Sequence, residues 1–315
     1  MSGLAPAHTF APRLRFRRRT GGVFTALCLV FTLGAMASLL VLLAAIFQQG
    51  WDWVSIKFLA NMPSTLHPEK AGMNSAIWGS VWLIVLTGLF SVPTGIGAAI
   101  YLEEYAGDNR LTRFIKLNIA NLAGVPSIVY GILGLALFVR WLHLDRSVIA
   151  GALTMSLLVL PIIIIASREA VAAVPNSIRE AAYALGATRW QTVRHHVLPA
   201  ALPGMLTGVI LALSRAIGET APLIMIGAMT YVSFTPGGSF FEEYPQTVAG
   251  VWEWFSTAVF DQFTAMPIQI YDWASRPQPQ FHHLAAAGII VLLVILLAMN
   301  ATAVGLRAWQ QRRNA

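Results

Sequence analysis

Residues 147–167 read SVIAGALTMSLLVLPIIIIAS, 21 positions without one Asp, Glu, Lys or Arg. A helix needs about 20 apolar residues to cross the hydrocarbon core of a bilayer, so this stretch predicts a transmembrane helix. Outward from it the same signal repeats. Thr20–Trp51 and Ala71–Leu102 are charge-free over 32 residues each, Leu117–Val139 over 23 and Pro277–Leu306 over 30. His195–Phe241 is interrupted only by Arg215 and Glu219. Spans are therefore predicted near 21–47, 76–102, 117–139, 147–166, 201–227 and 284–306. The fold class is all-α, a polytopic membrane protein with six transmembrane helices.

Composition agrees. Of 315 residues, 57% are hydrophobic and 11% charged, with a mean hydropathy of +0.65. A soluble domain carries about 25% charged residues. Less than half that level cannot coat a water-soluble globule of this size, which excludes a soluble enzyme. Cys28 is the only cysteine, so there is no disulfide framework and no Cys-based metal site. No internal repeat divides the chain.

The net charge of +7 reads as topology, not as nucleic-acid binding. With six spans, one side receives the N-terminal tail, loops 103–116 and 167–200, and the C-terminal tail, which together hold 15 of the 21 Lys and Arg. The other side has five, and Arg215 lies within a span. The positive-inside rule then places both termini in the cytoplasm. The first span is about twice the length of a signal-peptide core and lacks a small-residue cleavage site, so it is expected to stay. Expected organisation is a basic tail over 1–20, a six-helix transmembrane bundle over 21–306 and a tail over 307–315. The exported segments carry Asp52, Glu69, Asp145, Glu242, Glu243, Glu253, Asp261 and Asp272, for a net charge of −3. The outer loop 228–283 is too long for a simple connector. Its Val248, Trp252, Phe255 and Val259 recur at helical spacing, which fits a surface helix or a packed cap. Gly204 and Gly208 form a small-xxx-small face suited to close helix packing.

Two segments carry chemistry. The first is the cytoplasmic loop 177–199. Pro175 starts a short helix over Ser177–Leu185, and Gly186 can take the left-handed conformation that ends it. Thr188 can cap a second helix over 189–197, which Pro199 is expected to stop. The result is a helix–turn–helix presenting Arg189, Trp190 and Arg194, a shape suited to docking on a partner. His195 and His196 are adjacent, point in different directions and have no acidic or cysteine neighbours, so they are read as solvated and not as metal ligands.

The second is Arg215 with Glu219, four residues apart inside the fifth span. A charge at mid-bilayer costs at least about 2.5–3.5 kcal/mol and normally faces a bundle interior or a water-filled path. A self-neutralising structural pair and an anion pathway both fit. In the second, the Arg215 guanidinium offers planar, bidentate hydrogen bonds to an oxyanion. Glu219 then holds the arginine while the site is empty.

The loop resembles the EAA loop of ABC-type importer permeases: Glu180, Ala181, Ala182, then Gly186, then Leu198 and Pro199, with Val197 where Ile is usual. The resemblance implies a type I permease bundle whose loop, through Glu180, Ala181, Ala182, Gly186, Arg189, Trp190 and Arg194, sits on a separate ATP-hydrolysing subunit. The chain has no P-loop of its own, since none of Lys57, Lys70 and Lys116 follows a glycine. The string Arg215-Ala216-Ile217-Gly218-Glu219-Thr220-Ala221-Pro222-Leu223 is similar to the signature of the A-type permeases of phosphate ABC importers. Residues 97–105, 124–131 and 267–271 add further matches. That resemblance implies an inner-membrane permease subunit with Arg215, Glu219 and Thr220 on the substrate path. It also implies no cofactor bound by this chain, ATP being used by the ATPase. Implied partners are a sister permease, two ATPase copies and an extracytoplasmic phosphate-binding protein. A permease for molybdate, sulfate or phosphonate, and a non-conducting sensor, stay open as alternatives.

Overall fold

A computed structural model describes residues 14–238 and 248–314 of the chain. Glu242 and Glu243 of the predicted acidic outer face, and residues 1–13 of the predicted tail, lie outside the described residues. The contacts divide the chain into one unit ending at Gln48 and another spanning Gln49–Ala315.

The first unit is helical from Leu14. It is most of α1 (Leu14–Gly50), whose long apolar stretch is ample to cross a membrane.

The second unit is a bundle of long apolar helices. α3 (Asn74–Ile100) continues as a wider π-helical turn over Tyr101–Tyr105. It packs along α6 (Val148–Ala172), which packs in turn on α9 (Leu198–Gly218). α13 (Pro279–Asn314) lies against α9. Leu83 and Leu86 of α3, Val148, Met155, Val159 and Ile163 of α6, and Val209 and Ala212 of α9 form the main buried core. On the other side of α3, Val81, Val85 and Leu89 recur at i, i+4 and i+8 and stay exposed. That is the pattern of a helix covered on one face by the bundle and on the other by lipid or a neighbour. The predicted helix–helix glycines do their work. A Cβ on Gly204 would stand 2.9 Å from the Ala170 Cβ and one on Gly208 2.5 Å from the Ala166 Cβ, so α9 approaches α6 closely only because both are glycine.

Two predicted spans differ from the structure. The third, expected as one helix over 117–139, is broken at Gly124–Pro126. α4 (Arg110–Ala123) and the helix beginning with α5 (Ser127–Gly134) meet at 100°. Pro126 removes a donor and restricts the residue before it, so the helix cannot continue through it. The charge-free window spans both arms, which is why composition alone joined them. α5 continues as a π-helical segment over Leu135–Trp141. The fifth span, expected over 201–227, ends at Gly218; Glu219 takes an extended conformation and α10 (Ala221–Ile226) restarts after Thr220.

Among its described residues the 228–283 loop contains two further helices. α11 (Val248–Phe260) confirms the helical spacing, but the buried face is shifted from the predicted one. Ala258 and Val259 are buried, and Trp254 and Phe255 meet the Trp82 ring at centroid distances of 5.2 and 5.6 Å, whereas Trp252 is 71% exposed. α12 (Met266–Ala274) was not anticipated as a helix; its Met266, Ile268 and Trp273 are almost wholly buried. A nine-residue helix enclosed on most sides has no clean apolar periodicity to read.

Candidate translocation and coupling sites

The loop between α6 and α9 folds as its local signals require. α7 (Asn176–Ala184) begins after Pro175 and ends at Gly186, whose φ is +83°. The Ala187 N–H donates to the Ala182 carbonyl at 3.1 Å and the Gly186 N–H to the Tyr183 carbonyl at 2.9 Å. These two bonds are a Schellman ending, which needs a left-handed residue where Gly186 stands. A Cβ there would meet nothing within 4 Å, so backbone conformation and not space selects glycine. α8 (Arg189–Thr192) opens with a full capping box: the Gln191 N–H donates to Thr188 Oγ1, and Gln191 Oε1 accepts from the Thr188 N–H at 2.8 Å.

Pro199 does not stop this helix. α8 runs through a π-helical segment, Val193–Val197, directly into α9. Proline is tolerated there because the wider π turn frees the carbonyl with which its ring would clash in a regular helix. The second arm of the loop is thus continuous with the helix that carries Arg215.

Ala182 turns inward and is 5% exposed, while Glu180, Ala181, Arg189, Trp190 and Arg194 are exposed. Beneath the loop, Val171, Val174, Val197, Ala201 and Met205 form a small core of their own that fixes it to α6 and α9. Leu185, next to Gly186, is 90% exposed, and Trp190 is 55% exposed.

Arg215 sits in the last turn of α9, where a cation complements the exposed carbonyls of the helix end. Its Nε donates to Glu219 Oε1 at 3.3 Å. The expectation that both lie on one helical face is corrected in detail: Glu219 has already left the helix and reaches back from an extended backbone. The pair is unequal. The Arg215 side chain is 59% exposed and that of Glu219 18%. The pair is joined by this single contact, with Arg215 the more open partner. Thr220 is half-buried and makes no side-chain capping bond to α10.

Depth follows from the packing. Gly204 and Gly208 face Ala170 and Ala166, which puts Arg168 level with the turn between them. Arg168 belongs to the ion cluster with Glu103 and Lys116, and such a charged cluster is expected at the edge of the apolar layer. Arg215 stands about nine residues further along the helix, or ~14 Å at 1.5 Å per residue. That is about half of the ~30 Å hydrocarbon core. Gly204, Gly208, Leu211, Arg215 and Gly218 recur on one face of α9; a groove there is lined by Gly204, Gly208 and Leu211, by Ala166, Ala170 and Ala173 of α6 and by Arg307, and Arg215 is not among its lining residues. A second, small cavity, behind the helix break, is lined by Ser80, Leu83, Thr87, Met155, Ile217 and Leu223. Its Ser80 Oγ accepts from the Met266 N–H at 2.9 Å, and most of its wall is apolar.

A bundle of this form, with a helix–turn–helix projecting between its fourth and fifth crossing helices, defines a membrane permease of the ABC importer class. The chain superposes on a chain of a bacterial alginate ABC transporter, solved in complex with an alginate-bound periplasmic protein, with a TM-score of 0.57, covering 92% of this chain and 95% of that one at 16% identity. At that identity the likeness concerns the fold. The family described as "Binding-protein-dependent transport system inner membrane component" matches residues 91–315, and the chain belongs to it. It is 30% identical over 271 residues to the probable ABC transporter permease protein YqgI of Bacillus subtilis (strain 168), covering 85% of this chain and 88% of that protein. It is 33% identical over 220 residues to the phosphate transport system permease protein PstA 1 of Mycobacterium tuberculosis (strain ATCC 25618 / H37Rv), covering 69% and 71%. The chain is a multi-pass inner-membrane component of a binding-protein-dependent importer.

Proposed function

We propose that this chain is one of two permease subunits of an ATP-driven phosphate importer, with Arg215 as the group that meets the anion in transit. The observation that carries the reading is the state of Arg215. It is a guanidinium at mid-depth in an apolar bundle, more than half exposed on a stripe of small residues and held by one 3.3 Å contact. A purely structural pair at that depth is expected to be closed on both partners. Similarity to permeases named for phosphate transport supports the substrate, and the planar donor fork of arginine suits a tetrahedral oxyanion.

In this reading a sister permease supplies the facing wall of the path, two ATPase copies dock on the 177–199 loops, and an extracytoplasmic phosphate-binding protein delivers the substrate. Both termini lie in the cytoplasm, as the distribution of 15 against five basic residues supports. The organisation is a 1–20 tail, a 21–306 permease domain and a 307–315 tail. The ATPases close on ATP and move the loops, and the bundle opens outward. The anion exchanges Glu219 for itself at Arg215, with Thr220 beside it. Glu219 restores the arginine once the anion has left, which keeps binding weak enough for release.

Reconstitution of the permease pair, the ATPase and the binding protein in proteoliposomes tests this directly. Saturable, ATP-dependent uptake of radiolabelled inorganic phosphate is the expected result. Robust transport of molybdate, sulfate or a phosphonate without phosphate would overturn the substrate, and a complex that hydrolyses ATP without conducting any anion would overturn the transport role.

A further inference from the structure

The end of α3 carries two adjacent glutamates with different partners. Glu103 Oε1 is 2.6 Å from Arg168 Nη2 of α6 and 3.2 Å from Lys116 Nζ of α4. Glu104 Oε1 accepts from Arg179 of the coupling loop, at 2.6 Å from Nη2 and 3.1 Å from Nε, and its side chain is 6% exposed. The same guanidinium donates to the Val174 carbonyl at 2.7 Å, the Val171 carbonyl at 3.0 Å and Asn176 Oδ1 at 3.3 Å. One planar fork therefore ties the end of α3, the end of α6 and the start of α7. A lysine, whose donors radiate from one atom, cannot span those acceptors. Burying a charge pair is a poor way to gain stability alone, since apolar residues of the same volume serve as well or better. Arg189 makes a second tie from the loop to α3, lying 5.9 Å over the Tyr105 ring.

At its far end α3 holds the outer loop. The Met266 N–H donates to Ser80 Oγ at 2.9 Å, and the Thr264 carbonyl occupies the space where Gly79 lacks a Cβ. Between these points the helix runs continuously from Asn74 to Tyr105, 32 residues or ~48 Å. It is packed along α6 and α9, and a close-packed interior transmits displacement with little absorption.

We propose that the Glu104–Arg179 pair is the joint through which the coupling loop moves α3 as a rod, carrying ATPase motion to the outer loop at Thr264–Met266. The inference rests on the proposed docking of an ATPase on that loop. Both are positioning residues and neither meets the anion.

The test uses the complete permease–ATPase complex with Cys28 replaced by Ser and spin labels on V85C of α3 and L297C of α13, both exposed positions. In the parent, ATP is expected to shift the inter-label distance. The E104L/R179M double variant removes both charges, so that neither is left buried and unpaired. It is expected to retain ATPase co-purification and hydrolysis while the ATP-dependent shift falls to less than half. E103Q, which leaves the loop contact intact, is expected to keep the full shift. A full shift in E104L/R179M, or a parent that binds ATPase and shows no shift, overturns the joint. A parent that fails to retain ATPase overturns the docking reading beneath it. Should the double variant not assemble, R179K keeps the charge beside Glu104 but gives up the fork; an undiminished shift in R179K overturns the proposal equally.

Discussion

Arg215 Nε lies 3.3 Å from Glu219 Oε1, and the two residues are joined across the end of a helix, not along it. The carboxylate therefore sits on the short non-helical link between α9 and α10. Loss of the guanidinium is expected to reduce phosphate uptake at least about tenfold in R215A while ATPase co-purification is unchanged. R215K keeps the charge but not the planar fork and is expected to fall between the two. Uptake in proteoliposomes at several phosphate concentrations measures both variants, and R215A with wild-type uptake would falsify the pathway assignment.

In the proposed path Glu219 competes with the anion for Arg215, so its neutral isostere has a signed effect. E219Q is expected to lower the KM for phosphate and also to lower the maximal rate, because the anion then leaves an arginine that has no carboxylate to return to. Initial-rate uptake kinetics separate the two parameters. A raised KM in E219Q would mean that Glu219 orders the arginine for binding and does not compete with the substrate.

Much of this molecule is written locally in its sequence, and the parts that are not have a common cause. Gly186 and Thr188 announce their turn and cap because a left-handed residue and an N-cap hydroxyl are one-residue requirements. The charge-free windows locate the crossing helices because the bilayer enforces length and polarity at once. Bends are less legible. Gly124 and Pro126 are visible breakers, yet hydropathy is indifferent to direction, and a window straddling a 100° bend looks like a straight span. Pro199 misleads in the opposite sense, since a π turn accommodates it. The Arg179–Glu104 contact spans 75 positions and has no local signature. Both residues look like ordinary charges near helix ends until the bundle is folded. Arg215 and Glu219 were legible because a charged pair in an apolar run is conspicuous, although the helix end between them was not.

Gly186 tests the coupling loop apart from the path. Its φ of +83° costs an alanine about 1–2 kcal/mol of backbone strain, with no steric clash added. The turn that presents Leu185 and Trp190 should then be populated several-fold to about thirtyfold less. ATPase retention on the purified permease is expected to weaken by that factor in G186A, with the thermal stability of the bundle in detergent changed little. Equal retention by G186A and the parent would place the docking surface elsewhere.

Gly208 gives the complementary case, where space and not conformation is limiting. A methyl there would lie 2.5 Å from the Ala166 Cβ, closer than real Cβ atoms approach, and both atoms belong to packed helix backbones that cannot rotate away. α6 and α9 must separate to admit it, and overpacking of a well-filled interface costs typically 1–3 kcal/mol. G208A is expected to lower the thermal midpoint of the purified permease, and G208L to prevent a stable bundle. A166G, which removes the opposing methyl, is expected to recover most of the loss in the G208A/A166G pair. Thermal unfolding of the three variants in one detergent measures this. Failure of A166G to compensate would mean that the cost arises from α9 itself and not from its contact with α6.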